Sequence, residues 1–185
     1  MLKKTILFFL ASFLFVACTE ENQEESHLDP KWSGEISSDD SLLYEFGDIN
    51  IEGGLVSHTF SFTNSGDTPL YLYDMSTSCM CTEAQYILPD GTSSPTFGMD
   101  TDQAWSTEIA PGEDFQVLVT YDPMAHGPDA VGEINRSIIF HSSSIETDRI
   151  AVLDPELGTS FTQINIHGMV LSAEDYKTAD PEALE

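Results

Sequence analysis

Val56, His58, Phe60 and Phe62 alternate with Ser57, Thr59, Ser61 and Thr63, the period-two pattern of a strand with one buried face. Phe115, Val117, Val119 and Tyr121 repeat it after the turn Ala110-Pro111-Gly112-Glu113. Further strands are expected at Tyr44 to Ile49, Leu70 to Tyr73, Ser137 to His141 and Phe161 to Val170. Asn64-Ser65-Gly66-Asp67 supplies turn chemistry between the Val56 to Phe62 strand and that at Leu70 to Tyr73, with Gly66 able to take a positive φ. Two stretches read as insertions: Glu83 to Glu108, rich in Pro, Gly, Thr and Asp, and Ser143 to Ser160, with a short extra strand expected at Arg149 to Leu153. Outside the N-terminus no window of a dozen residues carries a helical stripe. Short strands separated by turns predict an all-β chain, an antiparallel β-sandwich of about seven strands over residues 42–171.

The ends follow other patterns. Lys3-Lys4, the apolar run Ile6 to Val16 and Ala17-Cys18 make a signal peptide over residues 1–17, with an apolar run too short to span a bilayer, which takes roughly 20 residues. Phe15-Val16-Ala17-Cys18 resembles the lipobox of bacterial lipoproteins, with Phe15 where Leu is usual. The resemblance implies that Cys18 is acylated and becomes the first residue of the mature chain. Two or three acyl chains would hold such a protein at a membrane, since each buried methylene contributes about 0.8 kcal/mol. Residues 18–41 are acidic and poor in apolar side chains, which predicts a flexible tether. Glu20 and Glu21 directly after the cysteine resemble a surface-export signal of some diderm bacteria. Residues 172–185 are expected to form a second acidic, disordered tail.

Charge narrows the partners. The chain has 32 Asp and Glu against 6 Lys and Arg, a formal charge of −26. Without Lys3 and Lys4 the remaining cations are Lys31, Arg136, Arg149 and Lys177. Nucleic acid is excluded as a partner, because binding it requires cations that displace counterions from phosphates. Adhesion to an anionic membrane by charge is excluded on the same ground, so lipid would be the anchor. An apolar content of 41% with 10% aromatics is too high for a wholly disordered chain.

A family resemblance follows from several motifs in order. Tyr44-Glu45-Phe46-Gly47-Asp48-Ile49, Val56 to Phe60 and Asn64 to Leu70 resemble the opening of the DUF1573 family. Ser78-Cys79-Met80-Cys81-Thr82, Ile109 to Glu113 and Val119 to Pro123 continue it, and His167-Gly168-Met169-Val170 resembles its closing strand. Met80 stands where the family usually has Gly, and Glu83 to Glu108 is longer than usual. The resemblance implies an immunoglobulin-like sandwich of the PapD-like and ASH type, often on exported or lipid-anchored proteins. It implies no reaction.

Candidate chemistry gathers at the cysteines. With Cys18 lipidated, Cys79 and Cys81 are the thiols left. In an extended strand their Cα atoms would lie roughly 6.6 Å apart, whereas a disulfide prefers about 5.5 to 6 Å, so a bridge needs a local kink. Three readings stand open: a disulfide, in a ring small enough to be strained and easily reduced; a soft-metal site for copper or zinc, with Met80 as a thioether ligand; and free or exchanging thiols. His58, in phase with Phe60 and Phe62, is the histidine expected to approach the cysteines. The chain has no Gly-x-Ser-x-Gly elbow, no Gly-rich phosphate loop and no His-Glu-x-x-His, and it is expected not to be an enzyme. The function expected is that of a binding or assembly module, lipid-anchored in a bacterial cell envelope at the outer membrane, on its periplasmic side or at the surface. Its partner would be an envelope protein or glycan. The alternative is soft-metal binding or thiol redox chemistry at Cys79 and Cys81.

Overall fold

The two best-patterned strands pair with each other at the centre of one sheet. In the computed structural model, which describes residues 36–99, 104–144 and 159–179, nine strands and one helix run in the order β1 (Ile36–Ser37), β2 (Leu43–Asn50), β3 (Val56–Asn64), β4 (Leu70–Thr77), β5 (Thr82–Ile87), β6 (Ser106–Ile109), β7 (Asp114–Tyr121), β8 (Gly132–Ser143), β9 (Thr159–Leu171) and α1 (Ala173–Ala179). One sheet has the order β1-β3-β7-β5 and the other β2-β9-β8-β4-β6, the two layers of an immunoglobulin-like sandwich. The signal segment, Cys18, most of the acidic stretch after it, the strand expected at Arg149 to Leu153 and the last six residues lie outside the described residues.

Four expectations need correction. The sandwich begins before residue 42: Ile36 and Ser37 pair with Asn64 and Thr63, and Ser38 and Asp40 bond β3 through their side chains. The sheets are not wholly antiparallel, because β2 runs parallel to β9. The stretch Glu83 to Glu108 is not simply an insertion. It holds most of β5 and most of β6, and Phe97 in its middle is fully buried. What loop remains folds back onto the outer side of β5, bridging Ala84 to Phe97 and Ile87 to Ser93, which covers that sheet edge. Finally, the tail is not wholly irregular: Ser172 caps α1, accepting from the Asp175 amide at 3.1 Å and donating to the Asp175 carboxylate at 2.7 Å. Glu174 and Asp175 in the first turn and Lys177 in the last suit the helix dipole.

Between the sheets the core is aromatic. Phe62 stacks on Phe115 with ring centroids 5.4 Å apart, and Phe140 meets both edge-on. Tyr86 of β5 packs on Phe97 and Phe140, and Trp105 stacks over Tyr86 at 5.2 Å as a lid. Such ring pairs contribute about 0.5 to 1.5 kcal/mol each beyond their buried area. β9 approaches β2 closely at Gly168, where a Cβ would lie 2.9 Å from Ile49 Cδ1 and 3.1 Å from the Gly47 carbonyl. Gly47 itself takes a φ of 68° where the register of β2 shifts, a conformation that favours glycine.

One buried polar side chain joins the layers. Asn64, with no exposed surface, ends β3; its Nδ2 donates to the carbonyls of Thr68 (2.9 Å) and Ile109 (3.0 Å), and its Oδ1 accepts from the Gly66 amide. Its backbone exchanges bonds with Glu113 and Gly112. At the opposite, solvent-facing surface His167 of β9 bridges its neighbours on both sides, with Nδ1 2.5 Å from Glu45 of β2 and Nε2 2.8 Å from Glu133 of β8. The Glu133 and then the Glu45 carboxylates raise its pKa above the ordinary value.

Two outcomes follow from these contacts. Asn64→Ala leaves the Thr68 and Ile109 carbonyls without their donor and should cost about 3 kcal/mol in chemical denaturation, against near-neutral behaviour for exposed Asp67→Ala. A pKa raised on folding stabilises the folded state below the unfolded-state value and ceases to do so as pH rises through the folded-state value. His167→Gln should therefore be less stable than the unmodified chain at about pH 5.5 and indistinguishable from it at about pH 8.5, as read from paired melting curves.

Candidate functional site

The segment joining β4 to β5 has to cross from one sheet to the other within four residues. Thr77 begins the crossing: its single hydroxyl hydrogen is shared between the carbonyls of Cys79 (3.0 Å) and Thr82 (2.9 Å). The Thr82 amide then donates to the Cys79 carbonyl at 3.1 Å, closing a four-residue turn over Cys79-Met80-Cys81-Thr82. This turn is the kink that the cysteines required. Their Cα atoms stand 5.2 Å apart and the sulfurs form a disulfide. Among the described residues only glycines have positive φ, so Met80 sits in the turn with ordinary backbone geometry.

The two sulfurs face different surroundings. Cys81 is 2% exposed and packs in the core, whereas Cys79 is partly open to solvent. Pairing of Thr82 with Tyr121 brings the chain after β7 alongside the turn, where the Asp122 amide donates to the Cys81 carbonyl at 2.9 Å. The loop that follows carries His126, exposed, with Nε2 3.2 Å from Cys79 Sγ. From the other sheet, Arg136 of β8 places Nε 3.2 Å from Cys81 Sγ. Arg136 is in phase with the buried Ile134 and Ile138, so it stands at an inward position of its strand. The Thr82 hydroxyl lies 3.7 Å from the same sulfur.

The histidine at the cysteines is thus His126 and not His58. His58 stacks face to face on Tyr44 with centroids 3.5 Å apart and meets Phe60 edge-on at 4.7 Å, closing the side of the sandwich between β2 and β3. Burial lowers its pKa, against an opposing pull from Asp40. Met80 is 67% exposed at the tip of the turn. Cys18 lies outside the described residues. His126 is 47 positions from Cys79 and becomes visible only once β5 is paired with β7; Arg136 could have been singled out as a cation in phase with isoleucines.

The donor atoms of Cys79, Cys81 and His126 lie within 4.8 Å of one another, the grouping of a three-ligand metal site. Two facts weigh on that use. Sulfurs joined to each other carry no thiolate charge, and the Arg136 guanidinium beside Cys81 repels a cation. The same guanidinium favours negative charge on Cys81. What the arrangement offers chemically is one accessible and one shielded sulfur, the shielded one next to a fixed cation.

Several solved structures are similar to this chain. The PapD-like domain 7 of human CEP192, an ASH / PapD-like domain, is similar over 78% of this chain and 89% of its own, with 13% identity and a TM-score of 0.44. A protein of unknown function from Porphyromonas gingivalis W83 is similar over 75% of this chain, with 17% identity and a TM-score of 0.47; the YadV chaperone is similar over 72%, with 12% identity and a TM-score of 0.41. This chain spans about half of each of the latter two, 47% and 50%. No curated protein matches it. Residues 36–94, from β1 through the cysteine turn and β5, match the model of DUF1573, the family described as protein of unknown function.

Proposed function

We propose that this protein is a lipid-anchored, exported immunoglobulin-like module of a bacterial envelope, and that it binds an extended segment of another envelope protein along the outer edge of β3. The open edge carries this reading. Asn64 turns its backbone groups to Gly112 and Glu113 beside β7, so residues of the opposite parity turn theirs outward. Thr63 is paired by β1, and Ser61 is satisfied by the side chains of Asp40 (3.1 Å) and Ser38 (2.7 Å). At Ser57 and Thr59 no strand follows among the described residues. Two residues with outward N–H and C=O groups form a short template for strand addition.

Beside that edge, a trough of about 530 Å³ crosses the outer face of the sheet, with Asp39, Asp40 and Asp114 along it and Leu88 and Pro89 at its far side. Its acids, on a chain of net charge −26, suit a segment bearing Lys or Arg. Cys18 supplies the anchor in this reading, and the acidic residues after it supply reach. A second reading, a copper or zinc site in the reduced form, draws on the closeness of Cys79, Cys81 and His126 and is opposed by Arg136.

Palmitate fed to cells expressing the full chain should label it, and Cys18→Ser should abolish the label; a labelled serine variant would sink the anchor. For the edge, a photo-crosslinking residue at Thr59 should give one discrete protein adduct in intact envelopes. Ser57→Pro removes an outward N–H and no ladder bond, so it should suppress that adduct while leaving the melting temperature within a few degrees. No adduct, or one indifferent to Ser57→Pro, would count against the β3 edge.

A further inference from the structure

Arg136 has no carboxylate within 4.0 Å among the described residues, although it points inward from β8 between two buried isoleucines. The contacts of its guanidinium are the Asn135 carbonyl, from Nη1 at 3.0 Å, and the Cys81 sulfur, from Nε at 3.2 Å. The guanidinium is partly exposed, and with no carboxylate beside it a negative charge formed against its Nε is stabilised by that cation. The neighbouring group able to take that charge is Cys81 Sγ, once its bond to Cys79 is broken. The second observation is independent: Cys79 is reachable from solvent and Cys81, 2% exposed, is not.

From these two asymmetries we infer that the Cys79–Cys81 disulfide is a directional thiol-exchange site, in which an external thiolate forms a mixed disulfide with Cys79 while Cys81 leaves as a thiolate paired with Arg136. The electron balance is simple. The incoming thiolate gives its electron pair to Cys79 Sγ, the bond between the sulfurs breaks, and that bond's pair stays on Cys81 Sγ. Charge passes from the attacking sulfur to the leaving one, and no net oxidation occurs. In the reverse step the Cys81 thiolate attacks Cys79 and expels the bound thiol, restoring the ring.

Leaving ability rises as the leaving thiolate is stabilised, and Arg136 stabilises one sulfur of the pair only. The turn itself serves both sulfurs, with the Thr82 hydroxyl 3.7 Å from Cys81 Sγ and the Cys81 amide donating to Cys79 Sγ at 3.3 Å, so the direction rests on the charge of Arg136 and on the exposure of Cys79. The co-reactant is a thiol, either a small molecule or an exposed protein cysteine. This site stands apart from the β3 edge: the residues named for partner binding are not those of the turn, and either function can hold without the other.

The test uses the full oxidised chain with 2-mercaptoethanol, acid quenching and fragmentation of the peptide bearing the two cysteines. The expected adduct sits on Cys79, with Cys81 found as a free thiol in the same acid-quenched fragment. Arg136→Gln should slow adduct formation about tenfold, while Arg136→Lys, which keeps the charge, should keep most of the rate. Both variants are compared only if their circular dichroism and melting curves show the sandwich intact; Thr82→Val, which removes the hydroxyl and keeps the charge, serves as a second probe, with a smaller slowing expected. An adduct on Cys81, an even split between the sulfurs, or a rate unchanged in Arg136→Gln would overturn the inference. So would a reduced protein that takes up one equivalent of Zn(II) or Cu(I) while the oxidised form yields no mixed disulfide.

Discussion

The hydrogen bonds of Asn64 set the relation between the two sheets. Five bonds converge on this one residue: two from its amide nitrogen, one to its side-chain oxygen, and one each through its backbone N–H and C=O. They reach the turn before β4, the end of β6 and the turn before β7, so three chain connections are held at one buried point. A buried amide is tolerated because both of its N–H groups and its carbonyl oxygen are bonded, and leaving them unbonded would be worse than an apolar residue. With that end fixed, β3 lies in register with β7 for eight residues, and β7 in turn aligns β5. The cysteine turn hangs from the start of β5. Its position is therefore inherited from an amide at the far end of the same strand pair.

The sequence made some of this legible and hid the rest for physical reasons. β3 and β7 each have one face wholly buried and the other solvated, so their alternation survives without any knowledge of neighbours. β5 has the same alternation, with Thr82, Ala84 and Tyr86 buried, but only two of those three are apolar and the next residues are turn formers. Composition outweighs period there, so the sequence of this strand looks like an insertion. β1 has two residues, too few for any period to show, and it exists because Asp40 and Ser38 bond β3 next to it. The parallel pairing of β2 with β9 joins strands more than a hundred residues apart, and nothing local marks the direction of such a pair. The DUF1573 match reaches only residue 94, so the closing strand is known from the fold and not from the family.

At the candidate site the legible part was the spacing of two cysteines and the need for a kink. The illegible part was what stands beside them. His58 shares its strand face with Phe60 and Phe62, as its phase required, but that face ends against Tyr44, where stacking satisfies the ring. His126 arrives from a loop with no periodicity, carried in by the β5–β7 pairing. Arg136 arrives from the opposite sheet, carried in by β8. Neither neighbour could be found by spacing, because both are products of the sheet order.

That order also gives the turn its polarity. β4 and β5 belong to different sheets, so the chain between them climbs across the end of the sandwich, and its first cysteine meets solvent while its second meets the core. A disulfide along a surface strand would present two equivalent sulfurs; one laid across the end of a sandwich cannot. Cys81 is inward for the same reason that Thr82, Ala84 and Tyr86 are held: the strand is entering the core as it passes. An inward residue on the facing sheet must then lie close to it, and at that position the chain places not another isoleucine but Arg136. Between the buried Ile134 and Ile138 this row therefore sets a cation against the Cys81 sulfur. The difference in surroundings between the two sulfurs is thus a consequence of how the sandwich closes at that end.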